Sequence, residues 1–231
     1  MSTAIAHDSK AADCKCKMMP FLTRRLHSLT GLAFGGYLVV HLIINATLAQ
    51  GTKPDVYQEQ VNKIHSLPFL MLIEWGLLYM PIIFHTLCGF VIILGGAPNI
   101  SNYRYTKNLF YVLQRTSALI IVAFILFHVL GMKGALGSTL AFDEHHATSS
   151  AARHIRTHWS VGYVIYPLGI LASCFHLANG FWTAAITWGL TISKGAQRRF
   201  GFVCFGIFLI TLFAGLLSLY TLISSQAIVI H

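Results

Sequence analysis

The chain has 231 residues, 55% of them hydrophobic and only 10% charged, with a mean hydropathy of +0.66. Seven acidic residues beside sixteen lysines and arginines cannot clothe a soluble domain, which ordinarily carries about 25% charged residues. The net charge of +9 is no nucleic-acid signature either, because the basic residues stand where apolar runs end and form no stripe interleaved with aromatics.

Residues 1–25 read as a polar tail, and residues 26–231 as one membrane domain. The tail lacks the layout of a signal peptide, since the first apolar run is too long and no small-residue cleavage site follows it. Cys14 and Cys16 supply two thiols, too few for a closed metal site, and are expected to be bystanders. Cys88, Cys174 and Cys204 fall within apolar runs, where a free thiol behaves as a small hydrophobe.

A spanning helix needs about 20 mostly apolar residues. Five segments qualify, at roughly 26–49, 67–95, 109–132, 161–190 and 200–223. The fold class expected is therefore all-α, an integral membrane bundle of five transmembrane helices. Pro81 and Pro167 mark kinks in the second and fourth, tolerable where neighbours satisfy the freed carbonyl. With the N-terminus cytoplasmic and the C-terminus outside, the inner loops and ends carry eleven lysines and arginines and the outer ones five. That asymmetry favours this orientation.

Each of the first four segments contains one deeply placed histidine: His41, His85, His128 and His176. An intramembrane imidazole is costly unless ligated or hydrogen-bonded. The plainer reading of any single one is a hydrogen-bonded structural residue, but four at matching depths point to metal. His41 and His128 lie near the outer ends of helices running outward. His85 and His176 lie deeper, on helices descending from the outside. At about 1.5 Å per residue the depths pair His41 with His128 and His85 with His176, one site toward each face. Two bis-imidazole sites in one helical bundle suit two b-type haems stacked across the membrane. Six-coordinate iron leaves no open position, so such haems carry electrons and do no bond chemistry. The absence of Cys-x-x-Cys-His excludes covalent attachment of haem.

A weak internal duplication supports the pattern. The pairs are separated by 87 and 91 residues, and Phe84, Phe127 and Phe175 each precede a histidine. Gly89 and Gly180 follow His85 and His176 by four residues, and Gly31 and Gly35 share that spacing, leaving room for a flat macrocycle or for ordinary helix packing. His27, fourteen residues before His41, offers a competing scheme in which one helix serves both haems. Position 114 is Gln and position 162 is Gly, so no second helix carries a matching pair, and His27 is the poorer ligand.

The run Arg24-Arg25-Leu26-His27-Ser28-Leu29-Thr30-Gly31, followed by His41-Leu42-Ile43-Ile44-Asn45, resembles the opening of the dihaem cytochrome b subunit of succinate dehydrogenases, in its single-chain five-helix form from menaquinone-using bacteria. The likeness extends over nearly the whole chain in helix number, histidine order and segment length. It implies His41, His85, His128 and His176 as axial ligands and a multi-pass protein of the bacterial inner (cytoplasmic) membrane. It also implies a flavoprotein (FAD) subunit and an iron–sulfur subunit on the cytoplasmic face. Electrons would pass from succinate through the haems to a membrane quinone, menaquinone or another, or in reverse to fumarate. A higher oligomer of the complex stays open, as does a cytochrome b anchor of a hydrogenase or formate dehydrogenase, or a haem-binding assembly protein. Nothing in this chain would itself oxidise succinate: it has no dinucleotide fingerprint, no cluster-binding cysteine set and no soluble domain.

Glu74 is the only acid within a span and falls near the outer haem, a candidate to take a proton from a quinol or relay it outward. A headgroup-level structural carboxyl is the alternative. Some fumarate-reducing relatives carry a glutamate two residues before the helix-four histidine, where this chain has Cys174. At the inner rim Arg24, His27, Ser28 and Arg115 are candidates for contacts with haem propionates or quinone, though positive-inside anchoring also accounts for arginines there. His145, His146, His154 and His158 read as a solvated outer loop, with His158 a further candidate contact to the outer haem.

Overall fold

A computed structural model of the protein describes residues 21–51, 55–96 and 104–224, Thr139 excepted. Cys14, Cys16 and the tail through residue 20 lie outside the described residues. Five helices are long and apolar enough to cross a membrane: α1 (Phe21–Gln50), α3 (Leu70–Leu94), α4 (Thr106–Met132), α6 (Val161–Thr187) and α7 (Lys194–Ser224). Two short helices, α2 (Val56–His65) and α5 (Ala147–Arg156), occupy segments read from sequence as outer loops. Their ten-residue length and polar faces hide them from a hydropathy window. No strand occurs among the described residues.

Helix limits follow backbone chemistry more closely than hydropathy. α3 starts at Leu70 because Phe69 adopts a left-handed conformation at φ 58°. α6 stops at Thr187 because Gly189 turns left-handed at φ 74°. There the Gly189 N–H donates to Ile186 and the Leu190 N–H to Ala185, closing the last turn. Each proline helix widens just ahead of the ring, through π-helical turns at Trp75–Tyr79 and Val161–Ile165. The Met80 N–H then reaches Trp75 O, and the Tyr166 N–H reaches Val161 O. The widened turn accommodates a proline that can donate no hydrogen bond of its own.

α1 packs on α3, α4 packs on α6, and α7 rests against both α6 and α1, whereas α3 makes only sparse contact with α4. The bundle thus consists of two helix pairs with a seam between them. Leu42, Tyr166, Ile170, Cys174, Leu219 and Leu222 belong to the core that α7 completes. α3 faces outward along most of its length, with Leu77, Leu87 and Val91 exposed, as suits a lipid-facing helix.

One end of the bundle is closed by α2 and α5. Gln58 donates to the Glu144 carbonyl at 2.6 Å and accepts from the Ala147 N–H at 2.8 Å. Thr148 donates to Asp55 at 3.1 Å, and His65 pairs with Glu144. Arg156 then donates to the Leu222 carbonyl at 2.7 Å, tying α5 to the last turn of α7.

Candidate haem centres

The four intramembrane histidines meet in two pairs across the seam. The His41 and His128 ring centroids are 6.1 Å apart, with planes at 75°. Those of His85 and His176 are 6.2 Å apart, at 84°. One metal ion ligated by both rings requires a similar figure, about 6 Å, from two metal–nitrogen bonds of about 2 Å and about 1 Å from each nitrogen to its ring centre. Among the described residues no group of three or more His, Cys, Asp or Glu gathers as a metal site. Each facing pair could offer a metal two imidazole donors, a set that would suit a metal whose other ligands come with it, as in haem.

The two pairs lie at different levels. His27 touches His85 and stands fourteen residues before His41 on α1. Gln114 touches His176 and stands fourteen residues before His128 on α4. Fourteen residues of helix rise about 21 Å, so the same offset separates the pairs on both sides of the seam.

Hydrogen bonds define which ring nitrogen is free. His85 Nδ1 lies 2.9 Å from the His27 carbonyl, and His176 Nδ1 lies 3.1 Å from the Gln114 carbonyl, with Ser117 Oγ at 3.2 Å. A carbonyl can only accept, so both Nδ1 atoms carry the proton and Nε2 keeps its lone pair, the tautomer a metal ligand needs. His128 Nδ1 is 2.9 Å from the Tyr166 hydroxyl. Gln114 is itself held, donating to the His176 carbonyl at 3.2 Å and accepting from Asn179 at 2.7 Å.

Close approach is enforced at Gly31. A Cβ there would stand 2.6 Å from His85 Cε1 and 2.8 Å from Nδ1, inside van der Waals contact. At Gly89 the nearest atom is His27 Cε1 at 3.5 Å, and at Gly180 it is Gln114 Nε2 at 3.8 Å. Those two glycines leave ordinary space beside the pair rather than avoiding a clash.

The rim candidates are distributed differently. His27 stacks on His85 with centroids 3.9 Å apart and planes at 13°, and its Nδ1 donates to the His85 carbonyl at 3.1 Å. Ser28 accepts from Trp188 Nε1 at 3.0 Å. Arg24 is exposed, while its neighbour Arg25 lies between the Phe21 and Trp188 rings. Arg115 covers the C-terminal carbonyls of α3, donating to Ile92 and Gly96 at 3.1 Å each, and lies over the Tyr111 ring. That terminal turn needs donors for its unpaired carbonyls. Glu74 is half-buried and within electrostatic reach of Tyr37, whose ring stacks on His41 at 5.7 Å.

The outer-loop histidines divide. His145 and His146 are exposed, and His158 is exposed with its Nδ1 2.8 Å from Ser160 Oγ. His154 corrects the solvated-loop reading: it is 1% exposed, because α5 folds its apolar face onto the bundle and carries the ring inward. Burial holds its imidazole below the ordinary histidine pKa. Sequence reasoning also passed over Tyr166 and Ser117 and treated Gln114 only as a failed histidine. The signal was the matched fourteen-residue offset, which marks polar partners on both α1 and α4.

No family model matches the chain. The succinate dehydrogenase cytochrome b558 subunit of Bacillus subtilis (strain 168) is 31% identical over 206 residues, 88% of this chain and 97% of that protein. With five apolar spans and that likeness over nearly its whole length, the chain belongs to the succinate dehydrogenase cytochrome b subunits, multi-pass proteins of the bacterial cytoplasmic membrane.

Proposed function

We propose that the chain holds two b haems, one between His41 and His128 and one between His85 and His176, and conducts electrons between succinate dehydrogenase's iron–sulfur subunit and a membrane quinone. The carrying observation is the pair of histidine couples at 6.1 and 6.2 Å, offset by the same fourteen residues on α1 and α4. Bound there, haem would supply one-electron transfer with no open coordination position for bond chemistry.

The protein's own groups do the rest. The His27 and Gln114 carbonyls orient His85 and His176 and keep Nε2 available, while the Tyr166 hydroxyl, able to donate or accept, fixes the ring of His128 through Nδ1. The apolar spans exclude water from both levels. The positive-inside charge asymmetry supports an orientation with the His85–His176 pair toward the cytoplasm, where the flavoprotein and iron–sulfur subunits would dock. Glu74, within electrostatic reach of Tyr37, whose ring stacks on His41, is the candidate to exchange a quinol proton at the outer level. Menaquinone is the quinone expected from the family likeness.

The direct test is the purified complex. Haem extraction and redox difference spectra should give two low-spin b haems per chain, both reducible by succinate. A single haem, or two that succinate leaves oxidised, contradicts the reading.

A further inference from the structure

We infer that His154 donates a hydrogen bond to a carboxylate of the haem held between His41 and His128. The inference rests on the haem reading above. His154 is 1% exposed, and neither Nδ1 nor Nε2 has a hydrogen-bond partner. The Leu140 carbonyl is near enough to favour the protonated ring but lies outside hydrogen-bond geometry. A buried donor left unmade carries a substantial penalty, so such a group ordinarily faces a partner. The other buried polar side chains of α5 are satisfied: Thr148 donates to Asp55 and Ser150 to the Ala147 carbonyl.

The position identifies the partner's chemistry. The His154 ring packs against Phe127 and Tyr166, with centroids 5.8 and 5.9 Å away. Tyr166 is the residue whose hydroxyl meets His128 Nδ1. The ring also occupies the space that a side chain at residue 131 would fill, which Gly131 leaves open. Gly131 is three residues beyond His128, on the same face of α4. His154 therefore stands one turn past the ligand, toward the end capped by α5. A flat, largely apolar macrocycle exposes its carboxylates on one edge, and these must leave the hydrocarbon toward a polar end. A neutral imidazole always retains one N–H, so the contact needs no change of protonation.

Three variants of the intact complex test this: His154→Phe and His154→Leu, which remove the donor with different volumes, and His154→Asn, which keeps one. Potentiometric titration of both haems and resonance Raman bands of the haem carboxylates are the readouts. In the Phe and Leu variants one haem should shift to more negative potential with a moved carboxylate band, or be lost, while the other haem is unchanged. The Asn variant should stay near wild type. Unchanged potentials and bands in both apolar variants would overturn the inference, as would an Asn variant as perturbed as the apolar ones. A weaker quinone KM with both haems unmoved would also overturn it, assigning the acceptor to the quinone. Absence of low-spin haem from the unaltered complex would instead overturn the haem reading beneath it.

Discussion

His27 and His85 hold one another by reciprocal hydrogen bonds: each Nδ1 donates to the other's backbone carbonyl, at 3.1 and 2.9 Å, and the rings stack at 3.9 Å. The arrangement suits His27 to positioning His85 rather than to ligation. His27→Phe preserves the stack and removes one donor, a loss of about 1 kcal/mol. Both haems should remain, while the potential and electron paramagnetic resonance signal of one of them move. Loss of a haem in this variant would contradict a positioning role of this modest size.

Tyr166 plays the matching part for His128. Tyr166→Phe leaves the His128 Nδ1 without its partner, a buried penalty of about 1–3 kcal/mol. Loss of such an outer contact ordinarily weakens a metal site by about 10–100-fold. Haem retention during detergent washing should fall for one haem only, and the spectrum of the second should be unaltered.

Gly31 offers a steric test with an internal control. Gly→Ala in a helix interior ordinarily stabilises by about 1 kcal/mol. At Gly31 the added methyl would meet the His85 ring at 2.6 Å, so overpacking outweighs that gain, costing about 1–3 kcal/mol. Gly36→Ala meets nothing within 4 Å. Haem counts should drop for G31A and stay at two for G36A.

The turn leading into α5 has its own pH dependence. Asp143 accepts from the His146 side chain and from the His145 N–H, both at 2.9 Å, and these bonds hold its carboxyl below the ordinary value of 3.8. A depressed carboxyl pKa contributes stability above the unfolded value, lost as pH falls through the folded one. Hydrogen exchange over residues 143–150, corrected for intrinsic rate, should rise as pH falls below about 4. Asp143→Asn should reduce that rise at residues 143–146.

The vertical arrangement was legible in the sequence because helical rise and alternating direction together set depth. Those two facts bring His41 to His128 and His85 to His176 without any knowledge of rotation about the helix axes. The partners of the histidines were not legible, since each depends on how neighbouring helices turn. His27 meets a residue 58 positions away, and Tyr166 meets one 38 positions away. Arg115 is expected from sequence to meet an anion at the rim, and the structure adds a second role the sequence does not show, capping the terminal carbonyls of α3. His154 was misread for a simpler reason: a ten-residue amphipathic helix within a polar loop gives no hydropathy signal, so its inward face went unseen.

The central claim is the pairing, and replacement of His41, His85, His128 and His176 one at a time by Leu tests it most directly. Low-temperature redox difference spectra of the four complexes should show two outcomes only. His41→Leu and His128→Leu should abolish the same haem signal, and His85→Leu and His176→Leu should abolish the other. Loss of one signal by both His41→Leu and His85→Leu, or survival of both signals in any of the four, would contradict the account.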